Sequence, residues 1–240
     1  NEKDVILPAV NGTVNVLKAI KKDAPQIKKV IITASIVSIS SPGEDKTVDE
    51  SLVSNVTWEQ GKENSQLAYP ASKTFAEKAA WKFLEDEKPN FSISTIHPVY
   101  IFGSQAFGIL KASKLNATNA ILSKYAELGK NDEIPPILGL FIHVDDVAEA
   151  HIIAYEKDDS AGKRIILTNE RFNQQLILNS LNKQYPQLNG NIPKGTPADA
   201  DTISPSTIND SWSRKYLGIK YKTFDQTVKD VFDQYFESRK

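Results

Sequence analysis

Apolar and polar positions follow two alternating rhythms along this chain. Residues 5–21 (VILPAVNGTVNVLKAIK) place Val5, Val10, Val14, Leu17 and Ile20 at mostly helical spacing. Residues 29–34 (KVIITA) are short, apolar and β-branched, the pattern of a buried strand. Residues 67–87 predict the strongest helix: Phe75, Ala79 and Phe83 recur every four positions, with Ala76, Ala80 and Leu84 beside them. Residues 91–97 (FSISTIH) alternate like a strand, and Pro98 ends the run. Residues 145–157 predict a helix opened by acidic residues, 163–168 (KRIILT) a strand, and 172–184 and 224–238 further helices. Residues 40–64 and 186–208 are polar, rich in turn-forming residues, and predict loops. Helices alternating with apolar strands favour an α/β fold with a parallel sheet.

Composition narrows the function classes. The chain has 240 residues and a formal net charge of −1, so charge gives no reason to expect nucleic acid or an anionic membrane as a partner. No apolar run reaches the roughly 18 residues of a membrane helix, and no signal-peptide pattern stands at the start. A cytoplasmic location fits this pattern. Cysteine is absent, which excludes disulfides, thiolate metal sites and cysteine nucleophiles. His143 and His151 stand near Asp145, Asp146 and Glu149, but without ligand spacing. They read as helix capping and packing, and no metal is expected.

The candidate chemistry lies in Tyr69-Pro-Ala-Ser-Lys73, preceded by Ser35 at the end of the first apolar strand. On a helix, Tyr69 and Lys73 share one face, a turn apart. A phenol beside a fixed ammonium is a candidate acid, because the cation favours the phenolate. A serine hydroxyl brought close would hold a carbonyl oxygen. Spacing alone is weak: with 8 tyrosines, about one Tyr-x-x-x-Lys arises by chance. The chain has a second, Tyr216–Lys220, but Gly218 inside it argues against a helix interior. Context favours the first pair, because it sits in an alanine-rich helix and follows the strand ending at Ser35.

Six segments in order, PAVNGTVNVLKAI, VIITAS, AYPASKTFAEKAAWKFL, HPVYIFG, FIHVDDVAEAH and RFNQQLILNSLNKQYPQLNGNIP, resemble the extended short-chain dehydrogenase/reductases. Within them the chain is most similar to the dihydroflavonol-reductase-like branch, in particular the fungal NADPH-dependent methylglyoxal and aldehyde reductases. The resemblance implies that Tyr69 is the proton donor, that Lys73 binds the nicotinamide ribose and lowers the tyrosine pKa, and that Ser35 hydrogen-bonds the substrate carbonyl. It implies further cofactor contacts at Pro98, Val99, Ile101 and Thr118, and a substrate pocket lined by Ile36 and Tyr100. The expected activity is hydride transfer from NADPH to small aldehydes and ketones, by a monomer or homodimer.

The resemblance also implies a Rossmann-like parallel sheet with a smaller C-terminal α/β substrate domain. The expected division sets 1–103 with 141–170, a partial dinucleotide-binding domain, against 104–140 with 171–240. A dinucleotide fold needs a glycine-rich turn after its first strand. The chain has 11 glycines, no two within four positions of each other. The N-terminal part of the sheet and the main cofactor cradle are therefore expected to precede Asn1, and this stretch alone is expected to be inactive. Two rival readings are a nucleotide-sugar epimerase or dehydratase of the same fold and a non-catalytic truncated paralogue.

Overall fold

A computed structural model describes residues 1–40, 47–106, 115–196 and 207–239. The chain divides into two compact units. Unit 1 comprises Asn1–Pro98, Glu149–Leu167 and Pro205–Gly218; unit 2 comprises Val99–Ala148, Thr168–Ser204 and Ile219–Lys240.

Unit 1 opens with a π-helical turn, Glu2–Ile6, that runs into helix α1 (Leu7–Asp23). Strand β1 (Lys29–Thr33) follows, then a 3₁₀ turn at Ile36–Ser38. After strand β2 (Thr47–Val48) come helices α2 (Trp58–Glu63) and α3 (Ser65–Glu87), then strand β3 (Ser92–Pro98). The expected loop over 40–64 is thus corrected. Thr57 accepts from the backbone of Gln60, whose side chain accepts from the backbone of Thr57, a capping box that starts α2. Residues 41–46 of that expected loop lie outside the described residues.

Strand β3 is central, with β1 on one side and β6 (Arg164–Leu167) on the other, all parallel. Its interior positions are fully buried, as a strand covered on both faces requires. Leu17 of α1, Ala80 and Phe83 of α3, and Phe91 and Ile93 form one core cluster, with Val30 and Ile32 of β1 packed against it.

Unit 2 has its own three-stranded sheet. Strand β4 (Tyr100–Phe102) runs parallel to β5 (Leu138–His143), which pairs antiparallel with β7 (Arg171–Asn173). Helix α4 spans Ala117–Ala126. Asn116 caps it, accepting from the backbone of Asn119. Helix α5 (Val144–Glu156) passes from unit 2 into unit 1. Helix α6 (Gln174–Gln184) is capped by Asn173. A single aromatic core joins Phe102, Phe141, Phe172 and Phe224 with Val228, Phe232 and Tyr235 of helix α8 (Phe224–Glu237).

The expected loop over 186–208 holds a 3₁₀ turn, Pro186–Leu188, and ends in strand β8 (Thr207–Ile208), which pairs with β2. Its residues 197–206 lie outside the described residues, as do 107–114. Helix α7 (Ser211–Leu217) was not expected. It stops at Gly218, which takes a left-handed φ of 69°. Tyr216 and Lys220 therefore lie on either side of a helix end, while Tyr69 and Lys73 lie within one helix.

Candidate functional site

Asn64 caps helix α3, its side chain accepting from the backbone of Gln66 at 2.8 Å. Tyr69 and Lys73 follow in its first half. Tyr69 is 52% exposed, although Ala68, Pro70 and Ala71 beside it are buried. One turn on, Lys73 Nζ donates to the carbonyl of Thr33, the last residue of β1, at 3.3 Å. Burial holds the Lys73 ammonium below the ordinary lysine value. A cavity of about 140 Å³ lies beside it, lined by Thr13, Ile32, Thr33, Lys73, Ala76 and Glu77.

Ser35 stands just past the end of β1 and is buried. It caps the 3₁₀ turn in an extended conformation. Its Oγ accepts from the Val37 backbone at a long 3.5 Å, which leaves the hydroxyl proton uncommitted. Its carbonyl is bound more firmly, by the Ser38 backbone at 3.0 Å and by His97 Nδ1 at 3.1 Å. Ile36 is half-buried and packs against the cluster of Ile39, Val48 and Ile166.

Sequence reasoning passed over the polar group beneath this turn. Glu77 lies one turn beyond Lys73 and is 6% exposed. Arg164 Nε and Nη2 donate to its two oxygens at 2.7 and 3.1 Å. Ser38 Oγ donates at 2.6 Å, Trp81 Nε1 at 3.2 Å and Thr95 Oγ1 at 3.3 Å. His97 Nε2 stands 3.3 Å from Oε1. Burial works against the Glu77 charge. The hydrogen bonds and charge interactions with His97 and Arg164 outweigh it and hold the carboxyl well below the usual carboxylate range. The signal was available: Tyr69, Lys73 and Glu77 are spaced i, i+4, i+8 along one helix face.

Pro98 is buried at the last position of β3, in register with Leu167. In unit 2, Val99 and Ile101 are half-buried, and Thr118 Oγ1 donates to the Ile101 carbonyl at 2.6 Å. The Tyr100 ring, 39% exposed, stacks on Phe102 and meets Phe172 edge-on. The structure thus places Ser35, Ile36, Tyr69, Lys73 and Pro98 in unit 1, and Val99, Tyr100, Ile101 and Thr118 in unit 2. His143 Nδ1 accepts from the Asp145 backbone, and His151 Nε2 lies 2.8 Å from Thr33 Oγ1. Among the described residues no three acidic or histidine side chains gather as a metal would require. No helix among them is long and apolar enough to cross a membrane.

Comparison with known proteins places this geometry in context. The model of the 3-beta hydroxysteroid dehydrogenase/isomerase family matches residues 1–199. A Candida albicans protein named for NADPH-dependent methylglyoxal reductase activity is 42% identical over 239 residues, covering 97% of this chain and 70% of its own. The NADPH-dependent methylglyoxal reductase of Saccharomyces cerevisiae is 36% identical over 252 residues, covering 100% of this chain and 73% of its own. The crystal structure of yeast methylglyoxal/isovaleraldehyde reductase complexed with NADPH superposes with a TM-score of 0.93 at 35% identity, over 100% of this chain and 73% of that one.

Proposed function

Because the chain belongs to the 3-beta hydroxysteroid dehydrogenase/isomerase family, we propose that it is the catalytic part of an NADPH-dependent reductase of small aldehydes and ketones of the methylglyoxal type. One observation carries the reading. The half-buried Lys73 donates to the Thr33 carbonyl, one helical turn from an exposed tyrosine, at the carboxyl end of β1. Ligands of open α/β sheets bind at that end of the strands.

The residues fit a nicotinamide ribose. Lys73 borders a cavity and offers further N–H donors to hydroxyl groups. In the proposed reaction NADPH supplies the hydride that reduces the carbonyl carbon. The Tyr69 hydroxyl gives its proton to the carbonyl oxygen, so an alcohol forms and a phenolate remains. The Ser35 hydroxyl, free to turn, donates a hydrogen bond to the same oxygen and fixes the carbonyl in place. Lys73 stabilises the phenolate by its charge. Pro98, Val99, Ile101 and Thr118 are proposed to contact the cofactor, and Ile36 and Tyr100 to line the substrate pocket. The Thr118 proton is already spent on the Ile101 carbonyl, so Thr118 would offer a ligand its lone pairs or its methyl group.

The proposal includes the division into a dinucleotide domain (1–103, 141–170) and a substrate domain (104–140, 171–240), a cytoplasmic location, and a monomer or homodimer. Light scattering on the purified protein reads the last. The activity is tested with Tyr69→Phe in the full-length protein. General acid catalysis contributes about 10²–10⁴-fold, so kcat for methylglyoxal should fall by that factor while NADPH binding persists. Turnover near the wild-type value would remove Tyr69 from the mechanism.

A further inference from the structure

The Ser35 turn and the Tyr69 helix are separate pieces of chain, yet reduction needs their hydroxyls at one carbonyl oxygen. Side chains from four elements join them beneath the surface. Ser38 comes from the turn, Glu77 from α3, Thr95 and His97 from β3, and Arg164 from β6. Ser38, Thr95 and His97 are fully buried, and Glu77 nearly so.

Ser38 has one hydroxyl proton and three groups in reach that could take it, the Glu77 carboxylate at 2.6 Å, the Ser35 carbonyl at 2.8 Å and His97 Nδ1 at 3.2 Å. The charged acceptor at the shortest distance takes it. The Ser35 carbonyl then keeps two donors for its two lone pairs, the Ser38 N–H and His97 Nδ1. A carbonyl cannot donate, so Nδ1 must carry a hydrogen. The other ring nitrogen lies 2.8 Å from Thr95 Oγ1 and 3.3 Å from Glu77. The single Thr95 proton goes either to this nitrogen or to Glu77, and Nδ1 remains the donor to Ser35 in both arrangements. Glu77 itself cannot drift, because Arg164 grips both its oxygens and also donates to the carbonyls of Glu50 and Leu52.

We propose that Glu77 and His97 are positioning residues that lock the Ser35 turn to the helix carrying Tyr69 and Lys73, and so set the distance between carbonyl holder and proton donor. The proposal rests on the reductase reading of that site. Neither side chain touches the substrate; Glu77 acts through the Ser38 side chain and His97 through the Ser35 main chain.

The side-chain amide of asparagine can stand where His97 Nδ1 stands, whereas that of glutamine stands nearer Nε2. Only His97→Asn retains the donor to Ser35. In the full-length protein His97→Gln should lower kcat by about tenfold or more, since misplacement of about 1 Å can cost about 100-fold, with KM for NADPH within about twofold of wild type. His97→Asn should recover most of the lost kcat. Ser38→Ala, a small change that avoids a gross folding defect, should lower kcat in the same direction. Amide exchange across residues 35–39 should accelerate in His97→Gln and Ser38→Ala, and stay slow in His97→Asn. Equal kcat for the asparagine and glutamine variants, or unchanged exchange in His97→Gln, overturns the proposal. A wild-type protein that reduces no small carbonyl defeats the reductase reading, and the exchange data still decide whether the pair holds the turn.

Discussion

Replacing Glu77 by Gln tests the physical basis of the buried network separately from catalysis. The substitution preserves volume and removes one charge. Arg164, whose side chain is 14% exposed, then keeps its positive charge with no counter-charge. The new amide also turns a donor toward a guanidinium nitrogen or toward Ser38, where a carboxylate oxygen had accepted. Breaking a buried ion pair by removing one partner costs about 3–5 kcal/mol. For a chain of this size about 2–4 °C of melting temperature is lost per kcal/mol, so Tm should fall by roughly 6–20 °C. The pH dependence has a definite sign. The folded-state pKa of Glu77 is depressed, so its stabilisation is fully present above the unfolded carboxylate value. It is lost as the pH falls through the lower folded value. The gap between wild type and Glu77→Gln should therefore be constant from pH 7 down to about 5 and close only in stronger acid. Thermal unfolding followed by circular dichroism across that range measures it. A Tm within about 2 °C of wild type at pH 7, or a gap that widens on acidification, would refute the account of a stabilising buried carboxylate.

Two further outcomes follow from single contacts. Lys73→Met keeps most of the side-chain stem and removes the charge. A hydrogen bond to a charged group is worth about 1.5–3 kcal/mol, so NADPH should bind about 10- to 150-fold more weakly, read by cofactor fluorescence, and unchanged affinity would separate Lys73 from the ribose. In unit 2, a Cβ at Gly139 would lie 3.0 Å from the Tyr100 ring and 3.0 Å from Phe172. Tyr100 is partly exposed and can yield, but Phe172 is fully buried. Gly139→Ala should therefore cost about 1–3 kcal/mol in urea unfolding, and an unchanged midpoint would show that the two rings part freely.

The sheet and long helices of unit 1 were legible because each carried its own signature, a continuous apolar run in β1, alternation in β3 and residues recurring every four positions in α3. KVIITA and FSISTIH became β1 and β3 within a residue or two, and 67–87 became α3. Short elements escaped for physical reasons. Helix α2 has six residues, too few to show a period, and only its Thr57–Gln60 box marked it. Strands β2 and β8 have two residues each and are strands by virtue of their partner, which no local pattern encodes. Helix α7 hid because its seven residues are too few to show a period.

The candidate site was legible only in part, and α3 shows why. Its Ala68, Ala71, Ser72, Thr74, Ala76 and Ala80 are all buried, so the helix is enclosed over most of its circumference. Small residues permit that enclosure because neighbouring elements can approach the backbone closely. A helix covered over most of its circumference shows a narrow polar stripe against a broad buried face, so amphipathic periodicity loses contrast. Tyr69, Lys73 and Glu77 then form a row of large polar side chains that no hydrophobic pattern predicts. Tyr69 and Lys73 were found by their spacing and by resemblance. Glu77 was missed because a glutamate four residues past a lysine reads as an ordinary surface pair. Its partners lie elsewhere in the chain, at Ser38, His97 and Arg164, and only the tertiary fold turns a helix-surface glutamate into the buried anchor of the turn at Ser35.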